Sequence, residues 1–125
     1  MSITTENVIE LLEKAVEIKG ADYVYPAGEC FYSNRKVNPE PMCIVGYVLA
    51  DEEPELFSEV AERESRESLS CGIMDFEDWD IALPIDFKTT NVLYAAQRVQ
   101  DNGGTWGTAL EAAKARLAEI NVYKV

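Results

Sequence analysis

A cluster of four carboxylates in the middle of the chain is the residue group best suited to bind a metal ion. Asp75, Glu77, Asp78 and Asp80 lie close together in the sequence, and Ca²⁺ and Mg²⁺ prefer oxygen ligands. A helix–loop–helix calcium site also requires a glycine at its sixth position and a bidentate acid at its twelfth. Those positions hold Asp80 and Asp86 here. The spacing therefore predicts no metal site and favours a solvated acidic loop or a patch that faces a partner.

Cys43 is the strongest candidate nucleophile. It lies near the predicted start of a helix, where the helix dipole can lower the pKa of a thiol. The chain has no histidine, so neither a Cys–His nor a Ser–His pair can form. A packed thiol is favoured, because cysteine readily serves as a small buried hydrophobe. We expect no catalytic residues and a protein that is not an enzyme; a small Cys-dependent enzyme is an alternative.

A glycine-rich segment at residues 102–108, with the sequence NGGTWGT, leads into a predicted helix. Helix N-termini can bind anions, but this segment lacks the lysine of a phosphate-binding loop and does not match the dinucleotide fingerprint. A tight turn before a capped helix explains the same glycines. Together with the aromatic segments and Arg35, Lys36 or Arg98, it leaves a second alternative, a small module that binds or sequesters a nucleotide. We expect no cofactor.

Negative charge is concentrated in the middle third of the chain. Residues 51–86 hold thirteen acidic residues and two arginines, and so carry −11 of the formal net charge of −12. Such a field repels phosphate backbones and acidic membranes, so direct binding of nucleic acid or membrane is not expected. It either forms a solvated face or attracts a basic protein surface, including one that normally binds DNA. The residues predicted to contact this partner are Glu52, Glu53, Glu55, Glu59, Asp75, Glu77, Asp78 and Asp80.

The hydrophobic pattern predicts a mainly α fold of the α+β class, with about four to five helices. Three- and four-residue spacing of apolar side chains predicts a helix that ends before Gly20, one that begins at Pro54, and two near the C-terminus. The apolar run at residues 41–50 is assigned to a helix because Pro41 suits a first turn. The last two helices are predicted to begin at caps of threonine (Thr89 or Thr90, then Thr105) and to form an antiparallel hairpin.

Two short aromatic segments, YVYP at residues 23–26 and CFY at residues 30–32, predict a small β-hairpin or extended segments. We expect the tyrosines at positions 23, 25, 32 and 47, with Trp79 and Trp106, to fill the core or to line an aromatic contact surface.

Length and composition predict a single domain spanning residues 1–125, since 47% of its residues are hydrophobic. The longest apolar run is far shorter than the roughly 20 residues of a membrane-spanning helix. The first residues lack the basic region and apolar core of a signal peptide. Three widely spaced cysteines are a poor disulfide framework. We therefore expect a cytoplasmic protein with free thiols.

Three segments carry a resemblance to known proteins: KGADYVYP at residues 19–26, CIVGYVLA at residues 43–50 and QDNGGTWGTA at residues 100–109. They resemble segments of small uncharacterised proteins encoded by bacteriophages of actinobacteria. The resemblance implies a phage-encoded protein that acts in the host-cell cytoplasm, and it implies no activity or catalytic residue. The leading hypothesis is a phage-encoded acidic interaction protein that binds a basic surface of a host protein, as a nucleic-acid mimic or inhibitor.

Overall fold

The computed structural model describes residues 3–26 and 31–122, which form five α-helices, one 3₁₀ helix and no β-strand. The helices are α1 (Val8–Lys19), α2 (Ile44–Glu52), α3 (Pro54–Glu67), η1 (Ile73–Trp79, the 3₁₀ helix), α4 (Phe87–Asp101) and α5 (Trp106–Val122). The mainly α class is confirmed. The helix count exceeds the predicted four to five because residues 73–79 form a helix of their own. None of the helices in these ranges is both long enough and apolar enough to cross a membrane.

The amphipathic helices bury the faces that their sequences predict. In α3, the apolar residues at three- and four-residue spacing, Leu56, Phe57, Val60 and Ala61, are buried. Pro54 opens this helix, where its missing N–H costs no hydrogen bond. Residues 44–50 of the apolar run predicted as a helix lie in α2, which contacts α1, α3 and α4, whereas Pro41 lies before the helix and not in its first turn. Buried side chains from all six helices form one hydrophobic cluster.

The hairpin of α4 and α5 has the most extensive contact between any two helices. Its two caps differ in how well they were predicted. Asp86, rather than Thr89 or Thr90, caps α4, and its carboxylate accepts a hydrogen bond from the Thr89 N–H at 2.8 Å. The predicted cap of α5 is correct, since the Thr105 hydroxyl accepts from the Thr108 N–H at 3.1 Å. Both interactions satisfy a backbone donor that has no partner inside the helix.

The predicted β-hairpin at residues 23–32 is wrong as a pairing, although short extended segments are present. Its turn, at residues 27–30, lies outside the described residues. Val24 instead forms an isolated β-bridge with Thr105, and Ser33 forms one with Pro41. The Tyr23 carbonyl accepts a hydrogen bond from the N–H of Trp106 at 2.9 Å. The backbone groups that a hairpin would use are therefore bonded to the start of α5 and to the segment before α2.

Aromatic side chains fill the core, as predicted. Trp106 is fully buried and makes edge-to-face contacts with Tyr23 and Tyr47, at centroid distances of 4.9 and 5.8 Å. Tyr32 is also fully buried and makes an edge-to-face contact with Phe76 of η1 at 5.4 Å. The rings thus connect the extended segments to the helices.

Candidate functional site

The predicted partner-binding carboxylates form two groups on the surface, which together are called the acidic surface. One group lies at the junction of α2 and α3, and the other lies along η1. All eight are exposed except the first two, which are partly buried: Glu52, Glu53, Glu55, Glu59, Asp75, Glu77, Asp78 and Asp80. Six of the eight carboxylates predicted to contact a partner are therefore exposed to solvent.

Arg63 links α3 to the end of η1. Its Nη1 donates a hydrogen bond to the Trp79 carbonyl at 2.6 Å, and its guanidinium lies 5.7 Å from the centre of the Trp79 ring. Glu59 precedes Arg63 by one turn of α3, and Asp78 and Asp80 flank Trp79 in the sequence. The Arg63–Trp79 contact therefore links the two elements that carry the acidic groups, α3 and η1.

The exposed members of the acidic surface lie apart from the ion pairs found among the described residues. Two ion pairs lie within α3, Arg63–Glu67 at 3.5 Å and Arg66–Glu62 at 3.6 Å. Among the described residues, none lies in an ion pair with the six exposed carboxylates of the acidic surface. Nor are three potential metal-ligating side chains grouped to hold an ion anywhere in residues 3–26 and 31–122. The arrangement can attract cationic groups from outside the chain.

Glu64 belongs to the acidic tract by sequence but lies in the core, where it is fully buried. Its Oε2 accepts hydrogen bonds from the Tyr32 N–H at 2.7 Å and the Ser70 hydroxyl at 2.6 Å. Its Oε1 accepts from the N–H of Ser33 at 3.1 Å and from the hydroxyl of Ser33 at 2.8 Å. Burial raises the pKa of the Glu64 carboxyl, and these hydrogen bonds oppose the rise. The Glu64 carboxylate thus holds the irregular segment at Tyr32 and Ser33 against α3.

Gln97 extends this network and Gln100 is a separate buried polar side chain; sequence reasoning missed both of them along with Glu64. The Tyr32 hydroxyl donates to the Cys71 carbonyl at 2.8 Å and accepts from Nε2 of Gln97 at 2.6 Å. Oε1 of Gln97 accepts from the Ile73 N–H at 2.9 Å, and Gln100 accepts from the N–H that begins α2. Helical spacing contains a signal for all three, because each lies one turn after a buried apolar residue.

Cys43 is the N-cap of α2, close to the predicted helix start. Its Sγ accepts a hydrogen bond from the Gly46 N–H at 3.2 Å, and the residue is buried. Burial raises the pKa of the Cys43 thiol well above its usual value. The packed thiol described here is the protonated form, which is a poor nucleophile.

The loop at residues 34–40 presents Arg35 and Lys36 to solvent in a fixed geometry. The side-chain oxygen of Asn34 accepts hydrogen bonds from the backbone N–H groups of Lys36 and Glu40, at 3.2 and 3.1 Å. The Arg35 guanidinium lies 3.8 Å from the centre of the Phe31 ring. Arg35 has a φ of 59°, in the left-handed region. Hydrogen bonds to Asn34 therefore hold the 34–40 loop closed, and its two cations are the consecutive residues Arg35 and Lys36.

Arg98 and the glycine-rich segment lie at a different place from this loop. Arg98 is on α4, with its guanidinium 5.9 Å from the centre of the Tyr94 ring, and it lines a groove with Asn102 and Gly104. The structure therefore keeps Arg35 and Lys36 together but separates them from Arg98.

No protein-family model, curated protein or solved structure matches this chain. Functional proposals therefore depend on the geometry and charge of the chain itself.

Proposed function

We propose that this chain is a phage-encoded, non-enzymatic interaction protein that binds a basic surface of a host protein through its acidic surface. The observation that carries the proposal is the set of six exposed carboxylates with no cation within ion-pair distance among the described residues. The resemblance of three segments to actinobacteriophage proteins supports the host-cell setting.

Charge of one sign on adjoining elements favours fast and selective docking. Arg63 links α3 to the end of η1, and we propose that one partner contacts carboxylates on both elements. Complementary charge mainly raises the association rate and excludes like-charged partners, and salt weakens it. A DNA-binding host protein fits this chemistry because carboxylates can occupy the positions of phosphates. In that case, the chain acts as a nucleic-acid mimic or inhibitor.

The test is a pull-down from actinobacterial lysate with two variants of equal net charge. The first neutralises the η1 group through Asp75→Asn, Glu77→Gln, Asp78→Asn and Asp80→Asn. The control neutralises four exposed carboxylates near α1 through Glu6→Gln, Glu10→Gln, Glu17→Gln and Asp22→Asn. We expect a basic host protein to be retained by the native chain and the control, lost with the η1 variant, and released by salt or duplex DNA. Equal retention by both variants contradicts the proposal.

The enzymatic alternative has less support from the geometry. A nucleophilic role for Cys43 requires an accessible thiolate, whereas this thiol is buried and protonated. In the nucleotide alternative, the cation beside the glycine-rich segment is Arg98, whereas Arg35 and Lys36 line a different groove.

A further inference from the structure

A groove with a surplus of positive charge lies on one side of α3, in a chain whose net charge is −12. It encloses about 450 Å³ between the 34–40 loop and the outer face of the helix. Arg35 and Lys36 line it from the loop, and Arg66 lines it from α3. The acidic side chain in the lining is Glu62, which is paired with Arg66 at 3.6 Å. The groove therefore has a formal charge of +2.

The polar lining of the groove suits an oxyanion. Arginine offers a planar fork of N–H donors that matches phosphate and carboxylate oxygens, and lysine adds a mobile ammonium. Two hydroxyls, from Ser58 and Ser65, also line the groove and can donate. Val37 and Pro39 form an apolar part of the wall, which can contact an organic remainder of the ligand.

The Arg35 guanidinium is oriented before any ligand arrives. Contact with the Phe31 ring orients the Arg35 guanidinium. The Arg35 N–H donates to the hydroxyl of Ser33 at 3.2 Å, and that hydroxyl is bound to the buried Glu64. The loop is thus tied to the same helix that forms the other wall. Such preorganisation reduces the entropy cost of binding.

We propose that this groove binds the phosphate group of a small phosphomonoester. A phosphomonoester carries about −1.5 to −2 charges at neutral pH, which complements the +2 of the lining. The volume is in the range of small-molecule sites, roughly 300 to 1,000 Å³, so the groove has room for more than the phosphate. A nucleic acid does not fit this role, because its neighbouring phosphates would meet the acidic surroundings. The proposal is independent of the acidic surface.

The test is a titration of the ¹⁵N-labelled protein with glycerol 3-phosphate at constant ionic strength, followed by amide chemical shifts. We expect saturable shifts confined to residues 34–40 and 58–66, and none with glycerol. The double variant Arg35→Gln, Lys36→Gln is expected to weaken binding about two- to thirtyfold, because it removes two charge contacts at exposed sites. Glu62→Gln is expected to tighten binding, because it removes the negative charge from the groove.

A matched control distinguishes binding of the phosphate in this groove from its general attraction to cations on the surface. Lys14→Gln, Lys88→Gln removes the same charge from two other exposed lysines and is expected to leave the affinity unchanged. Non-saturable shifts, or equal weakening by the control and the groove variant, would overturn the proposal. All four substituted side chains are exposed, so the variants are expected to fold, and their circular dichroism spectra check this.

Discussion

Removal of the buried Glu64 carboxylate is expected to destabilise the fold by about 2–6 kcal/mol. Glu64→Ala deprives the N–H groups of Tyr32 and Ser33 of their acceptor. A buried donor without a partner costs about 1–3 kcal/mol, and two are left. The hydroxyls of Ser33 and Ser70 can rotate towards other acceptors, so they add less. Such a loss is a large part of the roughly 5–15 kcal/mol that stabilises a typical domain.

Glu64→Gln is expected to cost less stability than Glu64→Ala, because each carboxylate oxygen accepts from one backbone N–H and one hydroxyl, and the amide keeps one of the two oxygens. The amide retains one oxygen and turns an NH₂ group towards the other N–H. One buried donor is then unsatisfied in either orientation, so the expected loss is about 1–3 kcal/mol. Glutamine nearly preserves the side-chain volume, which separates lost hydrogen bonds from lost packing.

Urea denaturation monitored by circular dichroism measures both losses as free energies of unfolding. Glu62→Gln is the control, because it changes an exposed side chain on the same helix and is expected to stay within about 0.5 kcal/mol of the native chain. The reasoning is refuted if Glu64→Ala and Glu64→Gln are as stable as this control. It is also refuted if glutamine costs more than alanine, since the loss would then not follow the number of unsatisfied donors.

Two further predictions concern the start of α2. Gly46→Ala is expected to destabilise the fold by about 1–3 kcal/mol, since the added Cβ would collide with the backbone carbonyl of Tyr32; thermal unfolding compares it with Gly72→Ala, whose Cβ makes ordinary contacts, and equal melting temperatures would contradict this. Cys43 is expected to resist alkylation in the native protein, because burial keeps its thiol protonated, whereas Cys71 is partly exposed with its pKa raised by burial to about 11. Peptide mapping by mass spectrometry measures each thiol, and faster labelling of Cys43 than of Cys71 would refute the assignment.

Periodicity predicted α1, α3 and the α4–α5 hairpin well, because these helices bury apolar residues whose spacing is local in the sequence, whereas the apolar run of α2 has no such period. The inner face of α3 and the capped hairpin of α4 and α5 are examples. The extended segments were less predictable. Tyr32 and Ser33 satisfy their N–H groups with a carboxylate about thirty residues later, and Val24 pairs with Thr105. Such partners leave no short-range pattern in the chain.

The candidate sites were only partly predictable, because they also depend on contacts between residues far apart in the sequence. Charge counting correctly indicated exposed carboxylates on α3 and η1, but it included Glu64, whose place on the inner face follows from its spacing after Val60. Arg35 and Lys36 were considered with a glycine-rich segment, whereas Arg66 is the cation that lines their groove. Arg35, Lys36 and Arg66 line one groove only because the 34–40 loop lies beside α3 in the folded chain.

The backbone of Arg35 has an evolutionary consequence. A left-handed conformation costs a residue with a Cβ roughly 1–2 kcal/mol, whereas glycine adopts it freely. Glycine at this position would strengthen the loop and remove its guanidinium in the same step. Under selection for thermostability alone, position 35 should drift towards glycine or asparagine. Related proteins that require the guanidinium at position 35 should retain arginine there, although their loop is then less stable.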